Sequence, residues 1–183
     1  MKKIKKTVLI SIFLCLNCFF VLFLNSCANA KKEIPQQIKD LKNSYSCVAN
    51  IKYKDINAQA TIDKENEGKC TVSFLSPESL KNMTATIDNG EIIVDYAGFS
   101  LNLSKNTPSS KMIANTIISA IESAAGDENL KITLEENLIK AKGTAGDSDY
   151  EIAVDGQSGV LAYLNFPKDE ISVDFKDFRF VNN

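Results

Sequence analysis

Apolar and polar residues alternate with a period of two along most of this chain, as in strands with one buried and one wet face. Cys47, Ala49, Ile51 and Tyr53 alternate with Val48, Asn50, Lys52 and Lys54. The pattern continues through Ala58, Ala60 and Ile62, turns at Asn66-Glu67-Gly68, and resumes at Cys70, Val72 and Phe74. Pro77 ends that third strand, because proline cannot donate to a ladder. Ala85 and Ile87 lead into Asp88-Asn89-Gly90, the strongest hairpin signal in the chain, since Asn and Gly accept the left-handed backbone of a two-residue turn. Ile92, Val94 and Tyr96 return, Ala97-Gly98 turns the chain again, and Phe99, Leu101 and Leu103 make a sixth strand.

The period then changes. Asn106-Thr107-Pro108-Ser109 is a breaker and capping cluster, and after it Met112, Ile113, Thr116, Ile117, Ala120, Ile121 and Ala124 recur at helical spacing up to Gly126. That predicts one long helix over 109–125. A short helix is predicted from Pro35 to about Asn43, with Ile34, Ile38 and Leu41 on one side. Alternation returns at Leu130-Ile132-Leu134, Leu138 to Gly143, Tyr150-Ile152-Val154, Val160-Ala162-Leu164-Phe166 and Ile171-Val173-Phe175. In the last of these the apolar parity slips to Phe178 and Phe180, so a bulge is expected near Lys176-Asp177.

About eleven hairpin-connected strands at ~4.8 Å each give a sheet roughly 50 Å wide, whereas a helix covers only ~10 Å of it. Left flat, the sheet would keep most of its apolar face in water. The expected fold is therefore mainly β (α+β): a curved antiparallel half-barrel of about eleven strands wrapped around one long and one short helix. The long helix serves as its lid or plug.

The first thirty residues bear on location. Lys2, Lys3, Lys5 and Lys6 precede an apolar run from Val8 to Leu24, and Leu24-Asn25-Ser26-Cys27 places an aliphatic residue three before a cysteine and a small one directly before it. This is the lipobox arrangement at the end of an export signal. The expected organisation is a signal peptide over 1–26, a lipidated Cys27 with a short tether over 27–34, and one domain over 35–183. The protein would then be lipid-anchored on the extracytoplasmic face of the cell membrane. Ala28-Asn29-Ala30 is a rival cleavage site that would release a soluble secreted protein. The apolar run of about 17 residues is also at the lower limit for an uncleaved spanning anchor.

Charge and composition narrow the chemistry. Four of the 21 Lys and Arg and none of the 23 Asp and Glu lie in residues 1–26, so the remainder carries a net charge of −6. Such a surface gives no electrostatic help toward nucleic acid. With no His and a single arginine, Arg179, the chain lacks the commonest general base, the commonest metal ligand and most phosphate clamps. No catalytic residue, metal or cofactor is expected. Asp147-Ser148-Asp149 with Glu151 lacks the spacing of a calcium loop, and Ser109 and Ser110 beside Lys111 read as helix caps. Cys47 and Cys70 have two readings. An exported protein invites a disulfide, but both fit core-facing strand positions with a strand between them, about 10 Å apart against a ~7 Å limit for a bridge.

Export signal with lipobox, short helix, six-strand meander, helical insertion and five further strands together resemble the LolA/LolB-like superfamily of lipoprotein carriers, which includes uncharacterised lipoproteins of Gram-positive bacteria. The resemblance covers about Pro35 to Phe180 and extends to the look of Cys70-Thr71-Val72-Ser73-Phe74-Leu75-Ser76-Pro77-Glu78-Ser79-Leu80. It implies an acyl chain held between curved sheet and helices, and a mechanism of lid displacement rather than bond chemistry. The cavity lining expected on that basis is Met112, Ile113, Ile117 and Ile121 of the helix with Val94, Tyr96, Leu101 and Ile152 of the sheet. The family's lid arginine has no counterpart, since Arg179 falls in the final strand. The alternative reading has the same helical stripe packing a filled core, in an envelope sensor or scaffold that binds protein partners.

Overall fold

Residues 33–65, 68–103 and 113–181 are described by the structure, a computed structural model. The leader, Cys27, the tether up to Lys32, the breaker cluster at 106–109 and Met112 lie outside the described residues. Helix α1 (Gln36–Lys39) continues as a 3-10 turn (Asp40–Lys42). Six strands follow: β1 (Tyr45–Tyr53), β2 (Ile56–Lys64), β3 (Cys70–Ser76), β4 (Thr84–Asp88), β5 (Glu91–Tyr96) and β6 (Phe99–Leu103). After helix α2 (Ile113–Gly126) come β7 (Lys131–Glu135), β8 (Leu138–Ala145), β9 (Ser148–Asp155), β10 (Leu161–Phe166) and β11 (Ile171–Phe180).

All eleven strands form one antiparallel sheet in the order β6-β5-β4-β3-β2-β1-β11-β10-β9-β8-β7. The chain therefore starts at the centre of the sheet, walks out to one edge, crosses by α2 to the other, and walks back until β11 lies beside β1. This is the curved half-barrel expected from the alternation. The turn chemistry is as expected too. Asn89 (φ 46°) and Gly90 (φ 82°) join the Asp88–Glu91 pair, and Ala97 (φ 51°) and Gly98 (φ 84°) join Tyr96 to Phe99. Two successive left-handed residues are what lets a two-residue turn follow the twist of its strands.

The parity slip in β11 is also real. Ser46 pairs with Arg179 but Val48 with Lys176, so Asp177 and Phe178 both stand opposite Cys47, with Asp177 at φ 51°. The extra residue turns Phe178 inward, where its ring stacks on Tyr45 at 5.0 Å.

Register carries the inner face across the sheet in rows. One row runs Cys47, Ile62, Val72, Ala85, Val94, Leu101; another runs Tyr45, Lys64, Cys70, Ile87, Ile92, Leu103. Lys64 is the one charged residue among these buried positions. Its Nζ donates to the Leu41 and Lys42 carbonyls at 3.2 and 2.7 Å and lies 5.8 Å from the Tyr45 ring centre. It thus satisfies the open carbonyls of the 3-10 turn and ties α1 to the sheet. Cys47 and Cys70, on β1 and β3 with β2 between them, are buried free thiols.

Helix α2 buries Ala114, Ile117, Ile118, Ala120, Ile121, Ala124 and Ala125. Its alanines let it lie close to the sheet while its isoleucines fill the hollow, and Ile38 and Leu41 close the same core from the α1 side. Among the described residues every core residue falls between Ile34 and Phe175, so the unit that begins at Ile34 carries its own hydrophobic centre. No helix among the described residues is long and apolar enough to cross a membrane.

Candidate functional site

Helix α2 does not cover the whole inner face. Its first turn stops beside a recess lined entirely by carbon: Ile51 and Tyr53 of β1, Ile56 and Ala58 of β2, Phe74 of β3, Leu80 and Met83, and Ile113 and Ala114 of the helix. The free volume is about 190 Å³. Leu80 and Met83 reach it because the chain makes a single turn after Pro77. The amides of Leu80 and Lys81 donate to the Pro77 carbonyl at 2.9 and 3.0 Å, and that of Met83 to Leu80 at 2.9 Å. The Tyr96 hydroxyl donates to the Ser79 carbonyl at 3.1 Å, which pins this turn to β5. Ile56, one of the lining residues, is itself exposed, so the recess opens to solvent past an apolar side chain.

The predicted lining residues fall into three places. Ile113 lines the recess. Ile117, Ile121 and Ile152 lie in the closed core with no exposed surface, and Val94 packs half-buried against it. Tyr96 and Leu101 share the inner parity but lie beyond the helix and are exposed, while Met112 is outside the described residues. The structure therefore brings Ile113 together with residues of β1, β2 and β3 and with Leu80 and Met83, which lie between β3 and β4. A signal for them existed: two apolar residues three apart in an otherwise polar stretch after a proline.

Polar hollows elsewhere are larger. One of about 810 Å³ runs between the outer face of α2 and the Ala145–Ser148 turn, where Asn115 and Ser119 face Asp147 and Asp169. Another, of about 620 Å³, mixes Lys131 and Lys142 with Asp127, Asp149 and Glu151. Lys142 pairs with Glu151 at 2.9 Å, and this together with the Tyr163 hydroxyl at 2.8 Å holds the Glu151 carboxyl below its usual range. No group of three or more His, Cys, Asp or Glu side chains that could hold a metal occurs among the described residues. The two thiols are poor nucleophiles, since burial pushes both up to about 12.

No family model matches the chain, and no curated protein does. Solved structures do. An uncharacterised conserved protein of Thermus thermophilus superposes with a TM-score of 0.53 at 10% identity, over 81% of this chain and 85% of that one. The GerS lipoprotein–CwlD amidase complex of Clostridioides difficile contains a match at 0.49 and 15% identity, covering 80% and 91%. A LolA superfamily protein of Nitrosomonas europaea gives 0.44 at 10% identity, covering 82% and 93%. At these identities the likeness is one of fold.

Proposed function

We propose that this chain is a lipid-anchored envelope protein that binds a single acyl chain in the recess beneath the first turn of α2. The observation that carries this reading is the recess itself, with nine apolar side chains around it and no polar lining atom. Its volume is below the 300–1,000 Å³ usual for small-molecule pockets, so it takes the end of one chain rather than a whole lipid. Deeper entry requires α2 to move outward at Ile113 and Ala114. Burial of a methylene gains ~0.8 kcal/mol relative to water, so even a few carbons give a measurable affinity for a free fatty acid.

Native mass spectrometry of protein extracted from membranes, and titration of residues 33–183 with a fluorescent fatty acid, test the proposal. The expected results are a co-purifying lipid and saturable uptake that Ala58→Phe, which fills the recess, reduces at least tenfold. A protein that retains no lipid and takes up no probe at any chain length is instead the scaffold. The complete burial of Ile117, Ile118 and Ile121 favours that second reading.

The anchor is a separate proposal, resting on Leu24-Asn25-Ser26-Cys27. Two or more acyl chains hold a protein stably on a bilayer where one does not, so Cys27→Ser is expected to move nearly all of the mature protein out of the membrane fraction. Wild-type membrane retention by that variant would refute the lipidation.

A further inference from the structure

Among the described residues β6 is an unpaired edge of the sheet, and it is unusually apolar. Phe99 is 81% and Leu101 58% exposed, Tyr96 stands exposed opposite Phe99, and β6 itself, Phe99-Ser100-Leu101-Asn102-Leu103, contains no charge and no proline. Edge strands of soluble proteins normally carry such residues to prevent pairing with other chains. The opposite edge, β7, has Lys131 and Glu135.

The backbone of β6 is also set up to pair. A two-residue hairpin turn is closed by a hydrogen-bonded pair, here Tyr96 with Phe99, so Phe99, Leu101 and Leu103 direct their N–H and C=O groups toward β5. Ser100 and Asn102 direct theirs outward. We propose that β6 pairs antiparallel with β6 of a second copy of this chain, with Leu101 on the two-fold axis. That register sets Ser100 against Asn102 of the other copy, and Asn102 against Ser100, so all four outward backbone groups of each strand are exchanged in two hydrogen-bonded pairs. On the inner face Leu101 meets Leu101, and Phe99 meets Leu103. The strand is thus its own complement on both faces, apolar to apolar and polar to polar. The pairing joins two half-barrels into one continuous sheet and covers the side chains that α2 leaves bare.

Sedimentation equilibrium and cysteine cross-linking of residues 33–183 test this. Leu101 opposite itself is a non-hydrogen-bonded pair with Cα atoms about 4.5 Å apart, within disulfide range. Phe99 is four residues out of register with its own copy and beyond that range. Copper–phenanthroline oxidation is therefore expected to give a disulfide dimer with Leu101→Cys and none above the parent background with Phe99→Cys. Leu101→Lys places two ammonium groups against each other and is expected to weaken the dimer roughly 100-fold, a ΔΔG of about 2.7 kcal/mol. Leu134→Lys on the other edge leaves it unchanged. Because Leu101 and Leu134 are mostly exposed, both variants keep the fold. A monomer at all concentrations, equal cross-linking at 99 and 101, or dissociation by Leu134→Lys would each overturn the proposal.

Discussion

Ile117→Asp is expected to abolish cooperative folding of the domain, whereas Ile113→Asp leaves the fold standing and removes uptake of an acyl probe. Both residues lie on the apolar stripe of α2, one turn apart. Ile117 has no exposed surface and sits among the fully buried side chains of the core. A carboxylate there either loses its hydration or takes up a proton, at a cost of several kcal/mol, which rivals the 5–15 kcal/mol that holds a typical domain together. Ile113 is half-buried at the recess, where a carboxylate reaches water but spoils an all-carbon wall. Circular dichroism, urea unfolding and probe titration separate the two. If Ile117→Asp unfolds cooperatively at the wild-type midpoint, α2 is not a plug of the core. If Ile113→Asp binds the probe as the parent does, the recess is not the ligand site.

The second large effect is alkaline. Burial, with a smaller push from Asp63, raises the Cys47 thiol from 9.0 to about 12. Burial, then Glu122 and Cys47, does the same to Cys70. Between pH 9 and 12 the unfolded chain gives up thiol protons that the folded domain keeps. The folded state thus binds more protons in this window, and stability falls as pH rises. At about 1.4 kcal/mol per unit, each thiol removes about 4 kcal/mol by the top of the window. Burial of the Tyr45 hydroxyl acts in the same direction. Lys64 acts in the opposite one: burial lowers its ammonium, the unfolded chain holds that proton longer, and stability rises with pH up to about 10.5. The urea midpoint is therefore expected to drop steeply above pH 9. A Cys47→Ala/Cys70→Ala variant, weaker at neutral pH because of its cavities, is expected to show a much flatter decline. An unchanged slope in that variant would remove the thiols from the explanation.

The strands were legible because a sheet with one buried face writes itself in alternate residues. From Cys47 to Phe175 that alternation, with turn residues at 89–90 and 97–98, gives the element order, and the slip from Phe175 to Phe178 gives the bulge. Parity says which face a residue occupies, but not what lies over that face. Tyr96 and Leu101 share a parity with Ile92, yet Ile92 is buried and they are exposed, because α2 ends its cover before reaching them. Leu134 has the alternation of a core residue and is 71% exposed, near the other end of the sheet. The recess was illegible for the same reason. It exists where the helix begins relative to β1–β3, a distance in space rather than a spacing in sequence. Lys64, on the inner parity, reads as an error in the pattern until the carbonyls of the 3-10 turn are seen above it.

The pairing of β1 with β11 governs the order in which this molecule is completed. Tyr45 pairs with Phe180 and Tyr53 with Ile171, so the strand made first receives one of its two neighbours last. Every other pairing joins neighbours in the chain and forms locally. Closing β1 against β11 bears the loop entropy of nearly the whole domain and is expected to be the slow step. Until then β1 is an open edge in the middle of the future sheet, with Cys47, Ala49 and Ile51 uncovered beside unpaired amides. The newborn chain is thus most prone to aggregate in the interval between finishing β10 and docking β11. A holdase that captures extended apolar strands would be most useful in that interval.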